Sequence, residues 1–254
     1  MSGVVLPALP IFKQLVNHAQ HGRTAIVDYS VAPDGETQYS YSQLLDDITT
    51  FRDELSSFLG KKDLEGARVA FLVESGYNYV VTLLTIWALG GFAVPLCTTH
   101  PIHEMLYTVT DSDASVLLAT NHFESKIREL ADTVAKESSE KRALYIVPQH
   151  PVNAVSQVPE LVESPIADPM RHALMIYTSG TTGKPKACSL SVHLTIGCRL
   201  STQNGASTDR FTCEVLESHR GRSNSPRSSS ASHPRHRQCT SSLTMVRWSC
   251  RNVP

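Results

Sequence analysis

Nine residues, Thr178-Ser-Gly-Thr-Thr-Gly-Lys-Pro-Lys186, concentrate the chemistry of this chain. Four carry hydroxyls, two are glycines and two are lysines, so the stretch is rich in donors and positive charge. Glycine lets backbone N–H groups approach a ligand closely and accepts positive φ. Hydroxyls and N–H groups donate to phosphate oxygens, and lysine supplies compensating charge. The G-x-x-x-x-G-K-[ST] spacing of a P-loop is absent. The five preceding residues, Ala173-Leu-Met-Ile-Tyr177, are apolar and read as a buried strand. A donor-rich loop at the end of such a strand is where an α/β protein would hold a polyphosphate. An ordinary polar surface loop is the competing reading.

The elements that must position this loop follow from hydrophobic periodicity. Short apolar strands are predicted at 24–28, 68–73, 92–96, 115–119, 143–147 and 173–177. Between them lie predicted helices at 11–18, at 79–89, 102–110 and 123–136, and one from Ser40 or Ser42 as cap to Gly60 as stop. Residues 33–36 read as a turn, with a returning strand at 38–40. The proline-rich stretch 148–169 reads as a surface connection. Strands alternating with helices predict an α/β fold with a mostly parallel sheet flanked by helices. Such sheets place ligands at the carboxyl ends of their strands, where the hydroxyl-rich loop falls.

The continuous run Tyr177-Thr-Ser-Gly-Thr-Thr-Gly-Lys-Pro-Lys186 resembles the signature loop of the adenylate-forming acyl-activating enzymes. The resemblance implies an ATP phosphate-gripping role for Thr178, Ser179, Gly180, Thr181, Thr182, Gly183 and Lys186. One departure is immediate: the family continues Lys-Gly, and here the chain reads Lys186-Ala187. Leu89-Gly-Gly-Phe-Ala-Val-Pro-Leu96 is similar to the family's helix–Gly-Gly–strand step, a structural motif with no catalytic role. His100-Pro101, with Leu106-Tyr107 and Asp111-Ser112 following, is similar to the malonyl-CoA synthetase branch. His100 itself is read as a polar residue at a helix start that bonds locally, not as a catalytic group. The resemblance covers roughly residues 25–186. It implies the N-terminal part of the large domain of an adenylate-forming enzyme. It implies ATP, Mg2+ and coenzyme A for the intact enzyme, with a small carboxylic acid such as malonate or methylmalonate as co-substrate. The family's acidic Tyr-Gly-x-Thr-Glu motif, ribose-binding aspartate, hinge and C-terminal lysine are not found, so no catalytic residue and no metal ligand is assigned and the chain as written is expected to be inactive.

With 254 residues and a net charge of −1, the whole chain offers no electrostatic argument for nucleic acid or a membrane surface. No apolar run is long enough to span a bilayer, and the N-terminus lacks the marks of a secretory signal or a clear transit peptide. A cytoplasmic or mitochondrial location is therefore expected. The averages hide a split. Cys97 is the only cysteine up to Lys186, and Cys188, Cys198, Cys213, Cys239 and Cys250 follow it. Their spacings fit no zinc pattern. Lysine disappears after Lys186, while nine arginines lie between Arg199 and Arg251. Residues 1–190 are accordingly read as a partial AMP-binding domain and 191–254 as a disordered tail.

Taken literally, the arginine-rich tail is an arm for RNA or a protein partner on a non-catalytic α/β module. A second explanation fits better. Read through the genetic code from the second base of each codon, 222–252 can spell D-R-I-L-H-V-L-P-L-H-H-I-H-G-I-V-N-A-L-L and then a segment with L-W and G. Met245 followed by Val246 forces tryptophan in that frame, and Trp248 before a serine forces glycine. The shifted string resembles the next motif of the malonyl-CoA synthetase branch. The tail is thus expected to be an out-of-frame translation beginning between Lys186 and Leu216. The coding nucleotide sequence checks this: the shifted frame should stay open past Pro254 and encode the missing motifs. A closed shifted frame, with salt-sensitive RNA binding by 200–254, would support the arm instead.

Overall fold

The computed structural model describes residues 5–32, 35–138, 141–152, 158–168, 170–178, 185–191 and 214–215. All lie in one compact unit, 1–218; a second unit, 219–254, is outside the described residues. In chain order the elements are β1 (Val5–Pro7), α1 (Pro10–Gln20), β2 (Thr24–Ala32), β3 (Gly35–Ser40) and α2 (Tyr41–Leu59). Next come β4 (Arg68–Leu72), α3 (Tyr77–Ala88), β5 (Phe92–Pro95), α4 (Ile102–Asp111), β6 (Val116–Thr120), α5 (Glu124–Ser138) and β7 (Ala143–Val147). The last are β8 (Glu160–Val162), β9 (His172–Thr178), β10 (Lys186–Ser191) and β11 (Glu214–Val215).

The main sheet has the order β11-β10-β9-β5-β4-β6-β7. The strands from β9 to β7 in that order are parallel, as predicted. β10 and β11 join antiparallel at the β9 edge. Period-2 alternation gives this sheet two apolar faces. In β4, Val69 and Phe71 enter one core, while Ala70 and Leu72 enter the other. The first core packs α1, α2 and α3 through Phe12, Ile48, Phe51 and Ile86. The second packs α4 and α5 through Met105, Val109, Ile127 and Leu130. A strand apolar on both faces needs helices on both faces, and the three-layer arrangement follows.

Local signals end the elements where expected. The Ser40 hydroxyl accepts the Gln43 N–H at 3.2 Å, and Gly60 closes α2 in the left-handed conformation at φ +64°. Two differences are long-range. The proline-rich connection contains β8, which pairs in parallel with β1 across most of the chain. Lys186 does not stay in the loop but starts β10, and β11 places a short strand inside the stretch expected to be unstructured. Apart from Ser191 and β11, the tail 191–254 lies outside the described residues.

The Gly90-Gly91 step joins α3 to β5. Gly90 has φ +66°, and a Cβ there would collide with Arg171 Nη1 and Asp63 Oδ1. Those two side chains form an ion pair at 3.0 Å. Gly90→Ala is expected to destabilise the domain by about 1–3 kcal/mol through backbone strain and disruption of this pair. Urea unfolding measures it; a midpoint equal to the parent's would contradict the packing role.

Candidate functional site

The carboxyl ends of the parallel strands share one edge of the sheet. Two places along that edge are built for different chemistry.

The first is the neck between β9 and β10. β9 is anchored at the core, where the Trp87 indole N–H donates to the Ala173 carbonyl at 2.8 Å. Antiparallel pairing then sets Thr178 opposite Lys186 and Tyr177 opposite Ala187. Thr178 and Lys186 are exposed, so a hydroxyl and an ammonium stand as cross-strand neighbours at the mouth of the loop. The Thr178 hydroxyl donates to the Lys186 carbonyl at 3.4 Å. Of the predicted phosphate ligands, Ser179, Gly180, Thr181, Thr182 and Gly183 lie outside the described residues. The structure brings the first and last of the set together.

α4 packs beside this neck. The Tyr177 hydroxyl donates to Asp111 Oδ2 at 2.9 Å, and the Tyr107 hydroxyl donates to the Pro185 carbonyl at 3.3 Å. The two rings meet edge-on with centroids 6.3 Å apart. Burial, reinforced by the neighbouring Asp111 carboxylate, pushes both phenols above the ordinary tyrosine range. Both therefore remain hydrogen-bond donors at neutral pH. His100, just before α4, sits with Nδ1 at 3.2 Å from Glu104 Oε2, which is the local bonding expected of it.

The second place is a cavity of about 890 Å³ where the chain, having run β4 to β5, crosses over to β6. Topological switch points of this kind open a crevice between strand ends. Asp28, Glu74, Gly76, Tyr77, His122 and His150 line it, and among the described residues no Lys or Arg does. It suits a polyphosphate poorly for that reason. Three strand spacings, roughly 14 Å, separate β9 from β6 across the sheet. Its carboxylates are already engaged: Glu74 accepts from Thr120, and Asp28 accepts from the Ser30 N–H and hydroxyl and from the Tyr77 N–H. Asp28 thereby caps α3 from a different element, which no local sequence signal announces. Tyr77 in turn donates to Asp47 at 2.6 Å.

Among the described residues no group of three or more His, Cys, Asp or Glu could hold a metal ion. Among them, too, no helix is long and apolar enough to cross a membrane.

With this geometry in hand, comparison with known proteins is specific. The family described as AMP-binding enzyme matches residues 13–215. A CoA ligase of Gibberella moniliformis is 33% identical over 213 residues, covering 82% of this chain and 34% of that protein. The mitochondrial malonate–CoA ligase ACSF3 of Homo sapiens is 33% identical over 192 residues, covering 74% of this chain and 30% of that protein. The chain thus spans about a third of the length of the curated relatives it matches. In fold it is similar to ATP-bound MatB from Rhodopseudomonas palustris, with TM-score 0.57, 22% identity, and coverage of 75% of this chain and 36% of that one. It is also similar to the O-succinylbenzoate CoA synthetase MenE of Bacillus subtilis in complex with ATP and magnesium, with TM-score 0.55, 22% identity, and coverage of 74% and 45%.

The switch-point cavity generates a pH prediction. Burial raises the Asp28 carboxyl, but the hydrogen bonds from Ser30 and Tyr77 outweigh it and hold the group below the usual carboxylate range. A depressed folded value stabilises the fold above the unfolded pKa of about 4 and loses that contribution as pH falls through the folded value. Asp28→Ala is expected to cost about 2 kcal/mol at pH 7. The gap from the parent chain should narrow below about pH 4. Urea unfolding across that range measures it, and a gap independent of pH would contradict the charged cap.

Proposed function

Because the chain belongs to the AMP-binding enzyme family, we propose that it is the N-terminal portion of an AMP-forming acid–CoA ligase acting on a short dicarboxylic acid such as malonate or methylmalonate. The observation that carries the reading is the β9–β10 neck. An exposed hydroxyl and an exposed ammonium face the same side at the ligand-binding edge of a parallel sheet, and a glycine- and hydroxyl-rich loop joins them. The naming of relatives as malonate–CoA ligases, at 30–33% identity for the plant and human proteins, supports the substrate class. Of the two expected locations, cytoplasmic or mitochondrial, the mitochondrial naming of the human relative supports the second.

In this reading the phosphates of ATP lie against residues 178–186. Thr178, Ser179, Thr181 and Thr182 donate hydroxyls, Gly180 and Gly183 open the backbone to close approach, and Lys186 neutralises phosphate charge. The acid's carboxylate attacks the α-phosphorus, pyrophosphate leaves, and the acyl-adenylate passes its acyl group to the thiol of coenzyme A with release of AMP. Magnesium, when bound, offsets charge on the phosphates. Donors held in place before reaction cost no reorganisation when charge develops, which is how a preorganised loop accelerates such a transfer. The 254-residue stretch by itself is proposed to be inactive.

A full-length enzyme with the shifted frame restored tests this reading. Lys186→Ala and Thr182→Ala should each lower acid-dependent pyrophosphate exchange by about 1.5–3 kcal/mol of transition-state stabilisation, roughly 10- to 150-fold, without loss of fold. Unchanged exchange in both would remove the loop assignment. With a panel of acids at equal concentration, malonate or methylmalonate should give the highest kcat/KM. Preference for acetate or a long-chain fatty acid would contradict the substrate class.

A further inference from the structure

We propose that Tyr107 and Asp111 of α4 are positioning residues that clamp the two ends of the loop at 179–185; the inference rests on the phosphate-loop reading above. The clamp is built from both sides of the loop. Tyr177 precedes Thr178, the first expected phosphate donor, and its phenol is held by Asp111. Pro185 precedes Lys186, the last, and its carbonyl is held by Tyr107. Tyr107 and Asp111 are four residues apart, so one face of one helix presents both groups. Met105 and Val109 of that helix share a core with Met175 and Ala187, the residues two before Tyr177 and one after Lys186. Helix and neck are therefore packed together beneath the two hydrogen bonds.

Two details show that these contacts are not incidental. Asp111 is the last residue of α4, where the helix dipole disfavours a carboxylate, so local helix energetics do not explain an acid there. Pro185 has no N–H, so its carbonyl is its one backbone hydrogen-bonding group, and Tyr107 satisfies it. In the sequence, Leu106-Tyr107 and Asp111-Ser112 mark a branch and carry no role of their own. In the fold, one residue of each pair fixes the spacing and register of the loop's ends before nucleotide arrives. Ends held in place beforehand reduce the ordering cost that accompanies binding.

Positioning of this kind acts on nucleotide affinity. In the frame-restored enzyme, Tyr107→Phe and Asp111→Asn should each raise the KM for ATP about three- to tenfold in acid-dependent pyrophosphate exchange. The KM for malonate, or for whichever acid of the panel exchanges fastest, should stay within about twofold, and Asp111→Glu should recover part of the loss. Unchanged ATP KM in both variants, with exchange by Lys186→Ala impaired, overturns the clamp alone. Unimpaired exchange by Lys186→Ala overturns the loop reading beneath it. In the 254-residue chain, hydrogen exchange of amides at 186–190 should quicken in both variants while 69–72 is unchanged. Equal exchange to the parent in both segments would overturn the clamp independently of catalysis.

Discussion

A parallel sheet imposes one constraint from which most of this molecule follows. Each strand must return to the same end before the next begins, so helices cover both faces and every carboxyl end lies along one edge. β4 shows the consequence in five residues. Its alternate side chains, Val69 and Phe71 against Ala70 and Leu72, bind two separate helix layers into one body. The free edge beyond it collects the loops, and both places with unusual chemistry lie there. The neck pairs the Thr178 hydroxyl with the Lys186 ammonium, whereas among the described residues no lysine or arginine lines the crevice at Glu74 and His150. Sheet geometry makes the edge a ligand surface, and side-chain charge decides which part of it suits phosphate.

The parallel strands were legible because burial on both faces leaves continuous apolar runs, as in β6, which is buried along its whole length. Helix ends were legible where a single residue supplies the geometry, as Ser40 and Gly60 do for α2. What stayed hidden depends on partners distant in sequence. β1 and β8 are three residues each, and neither has enough length for a period to register. β10 begins Lys186-Ala-Cys-Ser, so small and hydroxyl residues occupy its inward positions and the alternation of large apolar groups is missing. Asp28 caps a helix that starts 49 residues later, which no local pattern can reveal.

The candidate site divides the same way. Residue types marked 178–186 as a stretch able to hold a polyphosphate, with an ordinary polar loop as the competing reading, and the resemblance to the acyl-activating enzymes supplied the role. Its support was not legible. Tyr107 and Asp111 carried a resemblance and no chemistry until the fold set them against Pro185 and Tyr177. Loop chemistry is local and reads out of composition; loop geometry is tertiary and does not.

The central claim is that nucleotide is held at the β9–β10 neck and not in the switch-point crevice. Hydrogen exchange of the frame-restored enzyme, with and without Mg·ATP, separates the two most directly. Slower exchange across 178–187, with 74–78 and 149–151 unchanged, is the predicted result. Slower exchange at 74–78 and 149–151 with 178–187 unchanged would contradict it.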